Sequence, residues 1–234
     1  MMKGINWIVL TLATLIMQGQ EVTVVSKRKL PFSEPSDICM APDGKSFLVP
    51  GGKGFLYRCS SNGEVIEKST YRGHDLEAVT HDGKNIFLSE ENFQRIMVLD
   101  GAALTLQYSF PLPHGGGRNE GTEACCYLAS SGNFLLSTEK DPQFFTLLNA
   151  AHSVVAEFQI PGISEISALT EYNGKVYALG DEDTAIYQID LTSKTIVKTW
   201  RLNILNPEGL VFLSEKRCIV VSDDEGGWYE LELQ

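Results

Sequence analysis

Residues 76–100 read LEAVTHDGKNIFLSEENFQRIMVLD. Residues 76–80 are a short run of β character, Asp82-Gly83 supplies a tight hairpin turn, and residues 85–89 carry apolar Ile86 and Leu88 at alternate positions. A polar link over residues 90–94 leads to a third strand at 95–100, and residues 105–110 make a fourth. Four antiparallel strands in roughly 43 residues form one blade of a β-propeller.

The unit recurs. Copies open at Asp37, Glu77, Glu123, Ser167 and Glu208, at spacings of 40, 46, 44 and 41 residues. Asp43-Gly44, Ser131-Gly132 and Asn173-Gly174 repeat the turn. The fifth copy has strands at 217–222 and 228–233 and is then one strand short. Residues 20–29, with Val22, Val24 and Val25, have the β character to supply it. Pairing the two would hide two sheet edges that otherwise invite aggregation. The expected fold is all-β: a monomeric five-bladed β-propeller over residues 20–234, closed by an N-terminal strand.

Ahead of it, Lys3 and the apolar run at 5–17 have the layout of an export signal. The run falls short of the roughly 20 apolar residues that span a bilayer. Residues 1–19 are therefore read as a signal peptide, with an uncleaved anchor as the rival. The mature chain would be exported, periplasmic or attached to the cell envelope, with no stable transmembrane span. The five cysteines, Cys39, Cys59, Cys125, Cys126 and Cys218, include no CxxC pair and no zinc spacing. Their expected role is as small buried hydrophobes, with a disulfide open to an exported chain but no pair indicated.

The formal charge of −11 excludes nucleic acid as a partner, because phosphate binding needs a basic surface. The acids are not scattered. At the starts of the first strands stand Asp37, Asp75, Glu77, Glu120, Glu123, Glu165 and Glu208. After the second strands stand Glu90, Glu91, Glu139, Asp141, Asp181, Glu182, Asp183, Asp223, Asp224 and Glu225. In an antiparallel hairpin those two places share one edge, and the first strand of each blade lines the central channel, so both groups gather at one mouth of it. Like charges about 4 Å apart repel by about 1 kcal/mol in water and several times more near a protein surface. Protonation or a bound cation relieves this. An all-oxygen site without a Cys or His cluster suits Ca²⁺ best and Mg²⁺ second. The leading metal ligands are the innermost Glu77, Glu123 and Glu208, with Asp37 and Glu165 next. Acids after the second strands are more often solvated turn residues.

Pro207-Glu208-Gly209-Leu210 with Val221-Ser222-Asp223, Glu165-Ile166-Ser167-Ala168-Leu169 with Leu179-Gly180-Asp181-Glu182, and Thr138-Glu139-Lys140-Asp141-Pro142 together resemble the bacterial SdiA-regulated proteins. The similarity spans residues 30 to 234. The resemblance implies a five-bladed propeller distantly related to NHL-repeat propellers, a calcium site held by the matching Glu77, Glu123 and Glu208, and an exported or membrane-tethered protein. The first repeat departs from the pattern, with Pro50-Gly51-Gly52 where the others have acids.

Other motifs carry less. Gly44-Lys45-Ser46 lacks the glycine a phosphate loop needs, since Cys39 stands there. His114-Gly115-Gly116-Gly117 has no GxSxG elbow to serve and reads as a connector. His74, His81, His114 and His152 have no ligand spacing, although His74 lies near the expected mouth. The functional expectation is a calcium-binding propeller of the cell envelope that binds an unknown small molecule or envelope protein. The alternative is a metal-dependent hydrolase, lactonase- or esterase-like, using a channel calcium as Lewis acid.

Overall fold

The computed structural model of the chain describes residues 20–112, 121–138, 143–224 and 226–234. The signal segment, the His114 connector with Glu120, the Glu139–Asp141 stretch and Glu225 lie outside the described residues.

Twenty strands form five four-stranded antiparallel sheets. β1 (Val22–Lys29) precedes the first blade, which holds β2 (Cys39–Met40), β3 (Phe47–Gly51), β4 (Phe55–Cys59) and β5 (Val65–Arg72). The second holds β6 (Leu76–His81), β7 (Asn85–Glu90), β8 (Arg95–Asp100) and β9 (Leu106–Pro111). The third holds β10 (Thr122–Leu128), β11 (Asn133–Thr138), β12 (Phe145–Leu148) and β13 (Val154–Phe158). The fourth holds β14 (Ala168–Tyr172), β15 (Lys175–Gly180), β16 (Ala185–Asp190) and β17 (Thr195–Arg201). The fifth holds β18 (Pro207–Ser214), β19 (Arg217–Ser222) and β20 (Gly227–Leu233), and β1 completes it. Among the described residues the one helical element is a 3₁₀ turn, Glu91–Phe93.

The closure expected from Val22, Val24 and Val25 is present. β1 pairs antiparallel with β20, from Val22 opposite Leu233 to Lys29 opposite Gly227, with a register irregularity between Val24 and Ser26. Gln20, expected in the same strand, instead bridges in parallel to Trp200 of the fourth blade.

Around the axis the inner strands meet in order, β18 with β2, β6 with β10, β10 with β14 and β14 with β18, and β6 meets the first blade through β3. Alternation along each strand sends its side chains into the layers between blades, where the core lies. Cys125 and Cys126 show this. Cys125 packs with Ala78, Phe87 and Phe134 of the second and third blades, and Cys126 with Leu169 and Ala178 toward the fourth. All five cysteines are free, and four are buried. Burial pushes the thiols of Cys59 and Cys218 up to about 12.

The first inner strand is the shortest, and the fifth blade comes close to the chain just ahead of it. A Cβ on Gly209 would stand 2.6 Å from Asp37 Cα and from Ile38 N. The fifth blade's inner strand thus runs against the first blade's at backbone distance, and only glycine leaves room. Here Asp37 side-chain oxygens take the place of a strand ladder.

Candidate functional site: the acidic mouth of the channel

At one mouth of the channel lies a cavity of about 700 Å³. Among the described residues nine carboxylates line it: Glu34, Asp75, Glu77, Glu91, Glu123, Glu165, Asp181, Glu208 and Asp223. Against them stand Lys53 and Arg72 on the wall between the first and second blades, with His74 beside them. A smaller cavity of about 350 Å³ at the opposite mouth has Glu171 as its one lining carboxylate among the described residues, and that group accepts the Ala129 N–H at 2.6 Å. Negative charge is concentrated at one end of the axis.

The hairpin geometry accounts for the concentration. β6 begins where β7 ends, so Asp75 and Glu77 come to the same edge as Glu91. Asp75 has left-handed backbone (φ 56°), which aspartate tolerates better than most residues. Its carbonyl accepts the Glu91 N–H at 3.0 Å, and its carboxylate accepts the Asn92 side-chain amide. The turn thereby fixes Asp75 against Glu91. Carboxylate oxygens of Asp75, Glu77 and Glu91 all lie within 4.8 Å of one another. Burial, then the charge of Asp75 and a hydrogen bond with it, and then Glu91 and Glu208, raise the Glu77 carboxyl well above its ordinary value.

Two of the lining acids also hold the neighbouring chain. Glu91 accepts the Gly121 N–H at 3.2 Å, and Glu165 accepts the Glu182 N–H at 3.1 Å. Both are buried. Serine hydroxyls stitch blade to blade at the same level: Ser36 donates to the Leu76 carbonyl, and Ser167 to the Pro207 carbonyl at 2.7 Å.

Of the five residues expected to ligate metal, the structure brings Glu77, Glu123, Glu165 and Glu208 to the cavity wall. Asp37 is not among its lining residues. It is 1% exposed and accepts the N–H groups of Ile38 at 2.7 Å and Val79 at 2.8 Å, with Leu210 adding a third. Of the acids after the second strands, Glu91, Asp181 and Asp223 line the cavity. Glu90, at the end of β7, turns the other way. It is fully buried, and its carboxylate accepts the Tyr71 hydroxyl, the His74 N–H and Arg95 Nε. Asp183 binds Ser164.

Glu34 was not foreseen. It comes from the connector between β1 and β2, outside the repeat, and sits over Gly52: a Cβ there would be 2.9 Å from Glu34 Oε2 and 2.7 Å from the Ser33 carbonyl. The first repeat has no acid of its own at this position because its glycine pair makes room for one delivered from elsewhere. Pro50-Gly51-Gly52 is the signal: a glycine pair with no acid, where the fourth repeat has a single glycine followed by Asp181.

No curated protein sequence matches the chain. Among solved structures, the glutaminyl cyclase of Myxococcus xanthus superposes with a TM-score of 0.74 at 15% identity, covering 92% of this chain and 97% of that one. Two further structures superpose less well. The structure of U3-55K gives 0.54 at 13% identity, covering 88% of this chain and 63% of that one. The RRP9 WD40 repeats give 0.54 at 14%, covering 89% and 63%. At these identities the likeness is one of fold. The SdiA-regulated family model matches residues 15–196, most of the described propeller, and the chain belongs to the SdiA-regulated family.

Proposed function

We propose that this chain is an exported, calcium-binding propeller of the cell envelope whose acid-lined mouth is its binding site. The single observation that carries the reading is the convergence, among the described residues, of nine carboxylates on one cavity against Lys53 and Arg72. At the effective dielectric of a protein surface, each pair of charges about 4 Å apart costs about 4 kcal/mol. Those groups call for a counter-ion or for protons.

The donor set favours calcium. It is all oxygen, with no thiolate or imidazole cluster among the described residues, and hard oxygen donors suit hard divalent cations. Calcium–oxygen bonds are about 2.3–2.6 Å long, so ligands on opposite sides of the ion stand about 4.6–5.2 Å apart. The Asp75, Glu77 and Glu91 oxygens fit within that span. Glu77, Glu91 and Asp75 would hold the ion, and Glu123, Glu165 and Glu208 would complete its shell or balance its charge. Export rests on the signal-like segment at residues 1–19.

The test is thermal unfolding of the purified chain in chelator and in calcium. At a hundred times its dissociation constant, a bound ion adds about 2.7 kcal/mol of stability. A rise of several degrees with calcium, absent in Glu77→Gln, is the expected result. Identical curves in chelator and in calcium would remove the ion from the account.

A further inference from the structure

The connector that delivers Glu34 is a strap tied down at several points. At its start, Leu30 N–H donates to the Gly226 carbonyl at 2.8 Å, extending the pairing of β1 with β20. Phe32 then stacks on Tyr57 of the first blade, with ring centroids 4.0 Å apart and planes within 7°. A Cβ on Gly51 would collide with the Phe32 ring at 2.8 Å, so the ring lies flat on bare backbone. The Ser33 carbonyl accepts the Gly52 N–H at 2.7 Å. Glu34 follows with a left-handed backbone (φ 52°), a conformation that costs a non-glycine residue of order 1–3 kcal/mol unless its surroundings enforce it. The carboxylate ends in the mouth, where its charge adds to burial in raising the Asp223 carboxyl.

One strand pairing therefore controls two things. β1 closes the wheel, and the strap that leaves β1 carries a cavity-lining carboxylate into the mouth. If β1 leaves β20, the Leu30 tie goes with it and Glu34 loses its seat. Building on the cation reading above, we infer that ring closure and cation binding form one linked equilibrium, in which a divalent ion at the mouth tightens the docking of the N-terminal strand. Linkage requires the converse: loosening β1 weakens the ion.

Hydrogen exchange of the full chain, with and without calcium chloride, reads this directly. Calorimetry on the same samples reports whether calcium binds at all. In the wild type, calcium should slow exchange over residues 22–36 and over β20, with a much smaller change in the hairpin of β15 and β16. Glu34→Gln is isosteric and exposed, so it should fold normally. It should lose most of the calcium-dependent slowing and bind calcium roughly ten- to a hundredfold more weakly, the range for groups that support a metal site. Gly52→Ala keeps the carboxylate but fills its seat, and should reproduce the loss. If calcium binds but exchange over 22–36 does not respond, or both variants respond as the wild type does, the linkage is refuted while the cation site stands. If no heat of calcium binding is seen, the cation site is refuted and the linkage goes with it.

Discussion

Asp37 of the first blade accepts the backbone N–H of Val79 in the second at 2.8 Å, while its other oxygen accepts its neighbour Ile38 at 2.7 Å. With Leu210 of the fifth blade also donating, one carboxylate joins three consecutive blades around the seam of the wheel. Asp37→Ala strands these donors in the core, and a buried group left without a partner costs about 1–3 kcal/mol. The expected loss is about 2–4 kcal/mol in urea unfolding, with Asp37→Asn intermediate because it keeps one acceptor oxygen. A wild-type midpoint for Asp37→Ala would remove the seam role.

Glu90 and Arg95 make the second prediction. Glu90 is fully buried, Arg95 is about a third exposed, and Tyr71 and His74 complete the carboxylate's partners. Removing the buried carboxylate strands the Tyr71 hydroxyl and the His74 N–H, while Arg95 can turn to water, at a cost of about 1–3 kcal/mol. Glu90→Ala should lose about that much on denaturant unfolding. Its calcium response should survive in the fraction that folds, because Glu90 does not face the cavity. Loss of the calcium response with unchanged stability would place Glu90 in the site after all.

The third prediction concerns pH. Burial raises the carboxyls of Asp37 and Glu77 above their ordinary values of 3.8 and 4.5. Hydrogen bonds to Asp37 only partly offset this, and the neighbouring acids add to it. Such groups bind protons more readily when the chain is folded. The stability they contribute is fully present below the ordinary carboxylate range and is lost as pH rises through the raised folded-state values. Asp43 acts in the opposite sense. Desolvation pushes its carboxyl up, but Ser46, the Lys45 amide and Arg58 together bring it down to about 2. Its contribution is present above 3.8 and is lost as pH falls toward about 2. In chelator, the melting temperature should therefore rise as pH is lowered from about 7.5 to about 5, then fall below about 4. Calcium should flatten the neutral limb. A melting temperature in chelator that climbs steadily from about 5 to about 8 would contradict the strained mouth.

The wheel was legible because each blade repeats its own local chemistry. Asp82-Gly83 and Asn173-Gly174 announce hairpins, and the apolar alternation around Ile86 and Leu88 is written into a few consecutive residues. The mouth was legible to the extent that it follows from that repeat: Glu77, Glu123 and Glu208 share one repeat position, Glu165 stands two residues ahead of it in the fourth copy, and all four reach one cavity. What escaped depends on contacts between repeats. Asp37 stands at the same strand position, yet the close approach of Gly209 turns it into a seam acceptor. Glu90 and Glu91 are adjacent in sequence, yet Glu90 ends β7 in the core and Glu91 opens the 3₁₀ turn and lines the cavity. Glu34 belongs to no repeat, so periodicity cannot find it.

The pairing of Val22 with Leu233 also sets a timetable. During synthesis, β1 emerges from the ribosome before the other described strands and its partner β20 after them. Until then each finished blade can fold on its neighbour, but the ring stays an open arc with a sticky end. Contacts between such distant parts of a chain form slowly, because the entropy of bringing them together is spent before the contact repays it. A chain cut and rejoined so that new ends fall in the Asp82-Gly83 turn would fuse β20 to β1 through a short loop and turn that last, slowest pairing into a local hairpin.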